Sequence, residues 1–276
     1  MRVAALAALA VIAALAGLAA PALAQAPAAA PTATTASDWR VLDPANTWVI
    51  DTTKGRVIVE LYPQLAPNHV ARIKTLTRQG YYDGANWYRV VEGFMAQGGD
   101  KDKQYRSKLP NLKGEFLFKR PAGAAFYSVA PIPDAEVGFI GVMPVELQKP
   151  DADGSQTGWV NFCPGIASFP HGAAPDTANS QFFLMRGAAG LDKTFTAFGR
   201  VVVGEEVVRA LKVGEPVVNP DKMTRVRILA DLPAAQRVEV RVMDTMGPAF
   251  AARIQQALKD KPNVSLCELE IPAEVH

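Results

Sequence analysis

Between Trp87 and Asp100 the chain places one arginine, Arg89, two apolar side chains, Phe94 and Met95, and one amide, Gln97, on strand-like sequence that ends in Gly98-Gly99. A guanidinium stays protonated at any working pH and presents several fixed donors, so beside apolar walls it can hold and polarise a peptide group. Taken alone, an arginine on a strand is usually a solvated outer-face residue. Its neighbours change that reading. Phe94 and Met95 offer apolar, shape-adapting wall, Gln97 can hydrogen-bond a backbone, and the glycine pair permits a tight turn that a side chain would obstruct. A second block, Asn179-Ser180-Gln181-Phe182-Phe183-Leu184-Met185, and a third, Leu191-Asp192 with Phe198-Gly199, supply more wall. Strand alternation sends Phe182 and Phe183 to opposite faces, which assigns Phe183 to a pocket and Phe182 to the core.

The elements that must position these groups are mostly strands. Residues 48–53 and 56–61 are β-rich around Lys54-Gly55, and Val57, Val59 and Leu61 alternate with Arg56, Ile58 and Glu60, the pattern of a hairpin with a buried face. Pro67 suits the first turn of a helix carrying Val70, Ile73 and Leu76, with Gly80 as its stop. Strand character returns at 86–91, 94–98, 166–169, 181–185, 197–203 and 224–230, and 205–211 reads as a short second helix. Residues 101–164, rich in proline and charged turns, are the least legible part. Within them Asp151-Ala152-Asp153-Gly154-Ser155 reads as an acidic surface turn, its glycine misplaced for a calcium loop. After Pro233, alternating Val238, Val240 and Val242 predict a strand and 248–258 a helix.

Arg2, the apolar alanine-rich run 3–18 and Ala22-Leu23-Ala24 have the form of a secretory leader, removed after Ala24. An uncharged Ala/Pro/Thr stretch follows, expected to be a flexible linker over 25–45, with regular structure beginning near Trp48. The formal charge is only +2, with both signs interspersed, which disfavours nucleic acid and anionic membrane as partners. The two cysteines, Cys163 and Cys267, are too far apart for a local redox motif; in an oxidising compartment they are expected to pair, the alternative being two buried free thiols. His69, His171 and His276 form no metal constellation. No nucleophile elbow or phosphate-cradling glycine loop is present, so hydrolase and nucleotide-binding readings lack support.

The three blocks, in this order, resemble the cyclophilin family of peptidyl-prolyl isomerases, in its bacterial exported form. The resemblance implies a mainly β fold: a closed antiparallel eight-stranded barrel capped by two α-helices, spanning 46–232, with an insertion within 101–164 and a C-terminal β/α extension over 233–276. It implies rotation of X-Pro bonds without cofactor or metal, with Arg89 as the catalytic residue and Phe94, Met95, Gln97, Phe183, Leu191 and Phe195 as substrate contacts; His171 lies near the binding edge. Three positions depart from the family pattern: Tyr88 and Phe195 stand where histidines are common, and Gly190 where a tryptophan strengthens cyclosporin binding. The implied setting is the periplasm, acting as a monomer, free of the membrane once the leader is cut, on proline-containing unfolded or extended chains. A second reading keeps the same barrel as a peptide-binding or chaperone module with little turnover.

Overall fold

The computed structural model describes residues 38–100 and 106–276, so the expected leader and the expected cleavage after Ala24 lie outside the described residues. Among the described residues, sixteen strands form three antiparallel sheets. The largest holds β2 (Thr47–Thr52), β3 (Gly55–Leu61), β4 (Arg89–Val91), β5 (Met95–Gly98), β11 (Ile166–Phe169), β12 (Phe182–Met185), β13 (Thr196–Val203) and β14 (Met223–Ile228), in the order β14-β2-β3-β13-β11-β12-β5-β4. The second holds β6 (Phe118–Arg120), β7 (Tyr127–Ile132), β8 (Ala135–Ile140), β9 (Met143–Gln148) and β10 (Gln156–Val160). The third joins β1 (Trp39–Val41), β15 (Val240–Met243) and β16 (Ala273–Val275). Three α-helices among the described residues accompany them: α1 (Pro67–Arg78), α2 (Glu205–Arg209) and α3 (Pro248–Asp260).

Several expectations are corrected here. The main sheet is a curled half-barrel and not a closed barrel: its end strands β14 and β4 share no ladder, and their neighbourhoods are related by isolated bridges, Asn86 to Lys222 and Val90 to Gly214, and by single backbone hydrogen bonds such as Met223 N–H to the Ala85 carbonyl. The three α-helices of the described residues fall where the sequence places them, the third in the C-terminal extension. Among the described residues regular structure is present from Trp39, ahead of Trp48, because β1 is held by backbone pairing to β15. Residues 101–164, which read as turns, contain a five-stranded sheet. Proline disguised it: Pro131 lies in the edge strand β7, where a missing N–H is tolerated, and Pro144 near the start of β9. The apolar run 137–142 is bent at Gly141, whose φ of 56° turns β8 into β9. Asp151 to Ser155 forms the β9–β10 turn, with the Asp151 N–H donating to the Ser155 carbonyl at 2.8 Å.

The main sheet separates two cores. On its inner side, Val57, Val59 and Leu61 of β3 join Trp48, Phe182, Phe198 and the α1 residues Val70, Ile73 and Leu76; Ile58, between them, turns to the outer side. Trp48 is fully buried, donates its indole N–H to Thr77 of α1 at 2.9 Å, and stands edge-on to Phe182 at 4.8 Å. On the outer side, Phe183, Met95 and Met185 pack with Val142 of the β8–β9 turn, with Met143, Val145 and Leu147 of the second sheet and with Val240 and Val242 of the third. The second and third sheets are thus a cover for the outer face. A disulfide between Cys163, in the loop from β10 to β11, and Cys267 ties the C-terminal extension to the rest of the chain.

Helix α1 begins at Pro67 but lacks a cap of its own, since Ala66 has no side-chain acceptor. Glu115 supplies one from the segment leading into β6. Its carboxylate accepts from the backbone N–H groups of Asn68 and His69 at 3.0 and 3.1 Å, and lies 2.6 Å from Nδ1 of the fully buried His69. Burial alone would push this carboxyl up; the His69 and backbone hydrogen bonds outweigh it and hold it below the usual range. A depressed acid stabilises the fold above its unfolded pKa, and this contribution is lost as pH falls through the folded value. Glu115→Ala should therefore cost about 3 kcal/mol at neutral pH, by breaking a buried pair and a cap. Urea denaturation should also show a shallower loss of stability below pH 4.5 than in the wild type.

Candidate active site

Strands β4, β5 and β12 lie side by side, and their register sets Arg89 opposite Gln97 and Gln97 opposite Phe183. Directly paired residues of antiparallel strands project to the same face, so guanidinium, amide and phenyl ring share one side of the sheet. The row two residues along, Val91, Met95 and Met185, shares that side. The row between, Val90, Ala96 and Leu184, turns into the core around Trp48. Gly98 keeps β5 close to its neighbours, since a Cβ there would lie 2.7 Å from the Asn86 carbonyl oxygen. Gly99, at φ 101°, turns the chain so that Asp100 is buried.

Phe94, Leu191 and Phe195 join Met95 and Phe183 in one apolar cluster, with Phe94, Leu191 and Phe195 left partly exposed. The Phe195 ring stands edge-on to Phe183 at 5.9 Å. His171 stacks on Phe195 at 4.4 Å, and its Nδ1 and Nε2 lie 2.7 and 2.8 Å from the carbonyl oxygens of Gly172 and Thr194. It is thus a brace for the rim. Beside it a pocket of about 460 Å³ is lined by Gln97, Gln181 and Pro170. The cluster's wall is apolar and its edge polar, which suits a small ring whose backbone must remain hydrogen-bonded.

A line of polar groups runs along that edge. Asp100 accepts from Tyr81 at 2.9 Å, Ser180 at 3.0 Å and the Gln181 amide at 2.6 Å. Burial pushes its carboxyl up, against the pull of those three donors. Gln97 donates to the Gln181 oxygen at 3.1 Å and to the Tyr88 hydroxyl at 2.9 Å, and its own oxygen accepts from Arg89 Nη1 at 3.3 Å. Both amide hydrogens of Gln97 are therefore engaged within the protein. Burial also drives the Tyr88 phenol up, which keeps it neutral. At the far end Arg89 Nε donates to Glu215 at 2.5 Å. Glu215 is 57% exposed, so the pair contributes at most about 1 kcal/mol to stability; its effect is to aim the guanidinium.

The predicted residues Arg89, Phe94, Met95, Gln97, Phe183, Leu191, Phe195 and His171 thus adjoin one another along one face. Phe182 lies in the inner core and Phe183 outside it. Tyr88, Asp100, Gln181 and Glu215 were missed as parts of the polar line. The first three stand inside the quoted blocks, and their polarity amid strand sequence was the available signal. Glu215 had none, being 126 residues from Arg89. No group of His, Cys, Asp or Glu suited to a metal ion occurs among the described residues.

The model of cyclophilin type peptidyl-prolyl cis-trans isomerases matches residues 47–230. A protein of Brucella suis described as a probable peptidyl-prolyl cis-trans isomerase is 35% identical over 196 residues, which cover 68% of this chain and 85% of that one. A putative peptidyl-prolyl cis-trans isomerase of Staphylococcus epidermidis is 28% identical over 173 residues, covering 60% and 82%. Among solved structures, a cyclophilin of Hirschia baltica superposes with a TM-score of 0.80 at 33% identity, covering 86% of this chain and 93% of its own. The chain belongs to the cyclophilin family and is a peptidyl-prolyl cis-trans isomerase.

Proposed function

We propose that Arg89 stabilises the twisted amide of an X-Pro bond whose proline ring is seated on Met95, Phe183, Leu191 and Phe195, and that the clients are exported polypeptides folding in the periplasm. The observation that carries this reading is the cross-strand row Arg89–Gln97–Phe183, which brings a charged donor to the edge of an apolar cluster on one face. Amide resonance sets a rotation barrier of about 18–20 kcal/mol for peptide bonds generally. As the bond twists, the nitrogen regains a lone pair that a guanidinium can meet, so a donor held there favours the transition state over either planar isomer. No bond to substrate is made, and no cofactor enters. Held by Glu215 and Gln97, the guanidinium needs little reorganisation.

The periplasmic setting rests on the leader-like residues 1–24 and on the Cys163–Cys267 disulfide, a bond favoured in oxidising compartments. A protease-coupled assay on a proline tetrapeptide, with purified mature protein, tests the catalytic reading. Acceleration well above the uncatalysed rate is expected. Peptide binding without acceleration would leave only a holding module.

A further inference from the structure

A groove of about 540 Å³ opens on the outer face where three stretches of chain meet. Val129 and Val137 of the β7–β8 hairpin form one wall, Val264 and Leu266 beyond α3 another, and the loop at Gly190 the third. Phe162 also lines it, and its ring lies 6.4 Å from that of Phe183. One aromatic layer therefore separates the groove from the cluster assigned to proline, a step of about two residues of extended chain at ~3.3 Å each. Gln181 stands just before β12, Phe183 and Met185 lie on it, and the loop to Gly190 follows, so the groove and the pocket at His171 lie toward opposite ends of that strand. At Gly190 an added Cβ would meet nothing within 4 Å, which leaves the rim open. Asn161 lines the groove as well, its Nδ2 donating to Asp192 at 3.1 Å.

We infer that this groove is a second seat for the client chain, taking apolar side chains two or more residues from the bound proline. The inference rests on the proline site proposed above. Apolar walls and half-buried valines suit an extended polypeptide, whose apolar side chains can enter the groove. Continuity through Phe162 makes the occupant the same molecule that presents the proline. The occupant is therefore an unfolded, apolar stretch of client and not a second copy of this chain. The disulfide adds a reason for the extension's attachment, because Cys267 itself lines the groove.

The test compares kcat/KM for matched proline peptides carrying either leucine or serine at positions two to four from the proline, placed before it in one pair and after it in another. A leucine preference of about tenfold, or ~1.4 kcal/mol, is expected in one of the pairs. Gly190→Trp, which fills the rim, and Val264→Asp, which charges a wall, should each reduce that ratio to below about threefold. A wild-type ratio near one in both pairs, or a ratio that survives both substitutions, overturns the groove. So does sedimentation showing a wild-type dimer that Gly190→Trp disrupts. Arg89→Ala should lower both members of a pair and leave the ratio intact. If wild type and Arg89→Ala turn over a short Ala-Pro peptide equally, the catalytic reading fails; if they differ and the ratio is near one, the groove alone fails.

Discussion

Arg89→Ala should lower kcat/KM for a short proline peptide about a hundredfold, or ~2.7 kcal/mol, the scale seen when one preorganised donor is removed from a site of developing charge. The loss should fall on kcat, with KM little changed, because the guanidinium meets the nitrogen lone pair only when the amide is twisted. Arg89→Lys should recover part of the rate: it keeps the charge but not the planar fork, whose Nε and Nη1 are held by Glu215 and Gln97. Stability should move by less than about 1 kcal/mol, since the Arg89–Glu215 pair is largely exposed. Equal rates for the wild type and the alanine variant would refute the mechanism. A matched rise in KM with kcat unchanged would reduce Arg89 to a ground-state binding contact.

Replacing Cys163 and Cys267 together by serine should remove about 4 kcal/mol of stability, because the bridge spans 104 residues and long loops lose most entropy when closed in the unfolded chain. The extension depends on that tie: α3 buries only Phe250 and Ile254, and β16 pairs with β15 alone. Urea midpoints of the wild type with and without reductant, and of the double serine variant, measure the effect. A difference below about 1 kcal/mol would mean that the apolar contacts around Phe139, Phe250 and Leu269 suffice on their own.

What could be read from the chain follows the range of the interactions. The β2–β3 hairpin and α1 were legible because alternation and helical spacing are local: Val57, Val59 and Leu61, and Val70, Ile73 and Leu76, enter the inner core. The pocket residues were legible because they sit in short, distinctive blocks. Sheet closure was not, since whether β14 and β4 pair is decided by the curl of the six strands between them. Nor was the second sheet, whose prolines at an edge and near a strand start obscure the alternation. Glu115 and Glu215 were hidden for a third reason. Each acts on a partner tens of residues away or more, and an isolated glutamate in a polar stretch looks like solvated surface.

The long-distance cap on α1 bears on attempts to make a minimal version of this enzyme. Leu112 is stitched by its N–H to the Ala178 carbonyl, Arg72 of the helix donates to the Pro110 carbonyl, and Glu115 closes the helix start. Excising the intervening segment as a detachable ornament would strip the helix of its acceptor and leave the His69 imidazole stranded in the interior. A shortened version would need a serine or aspartate substituted at Ala66, and a smaller apolar residue at 69, before it could stand without the graft.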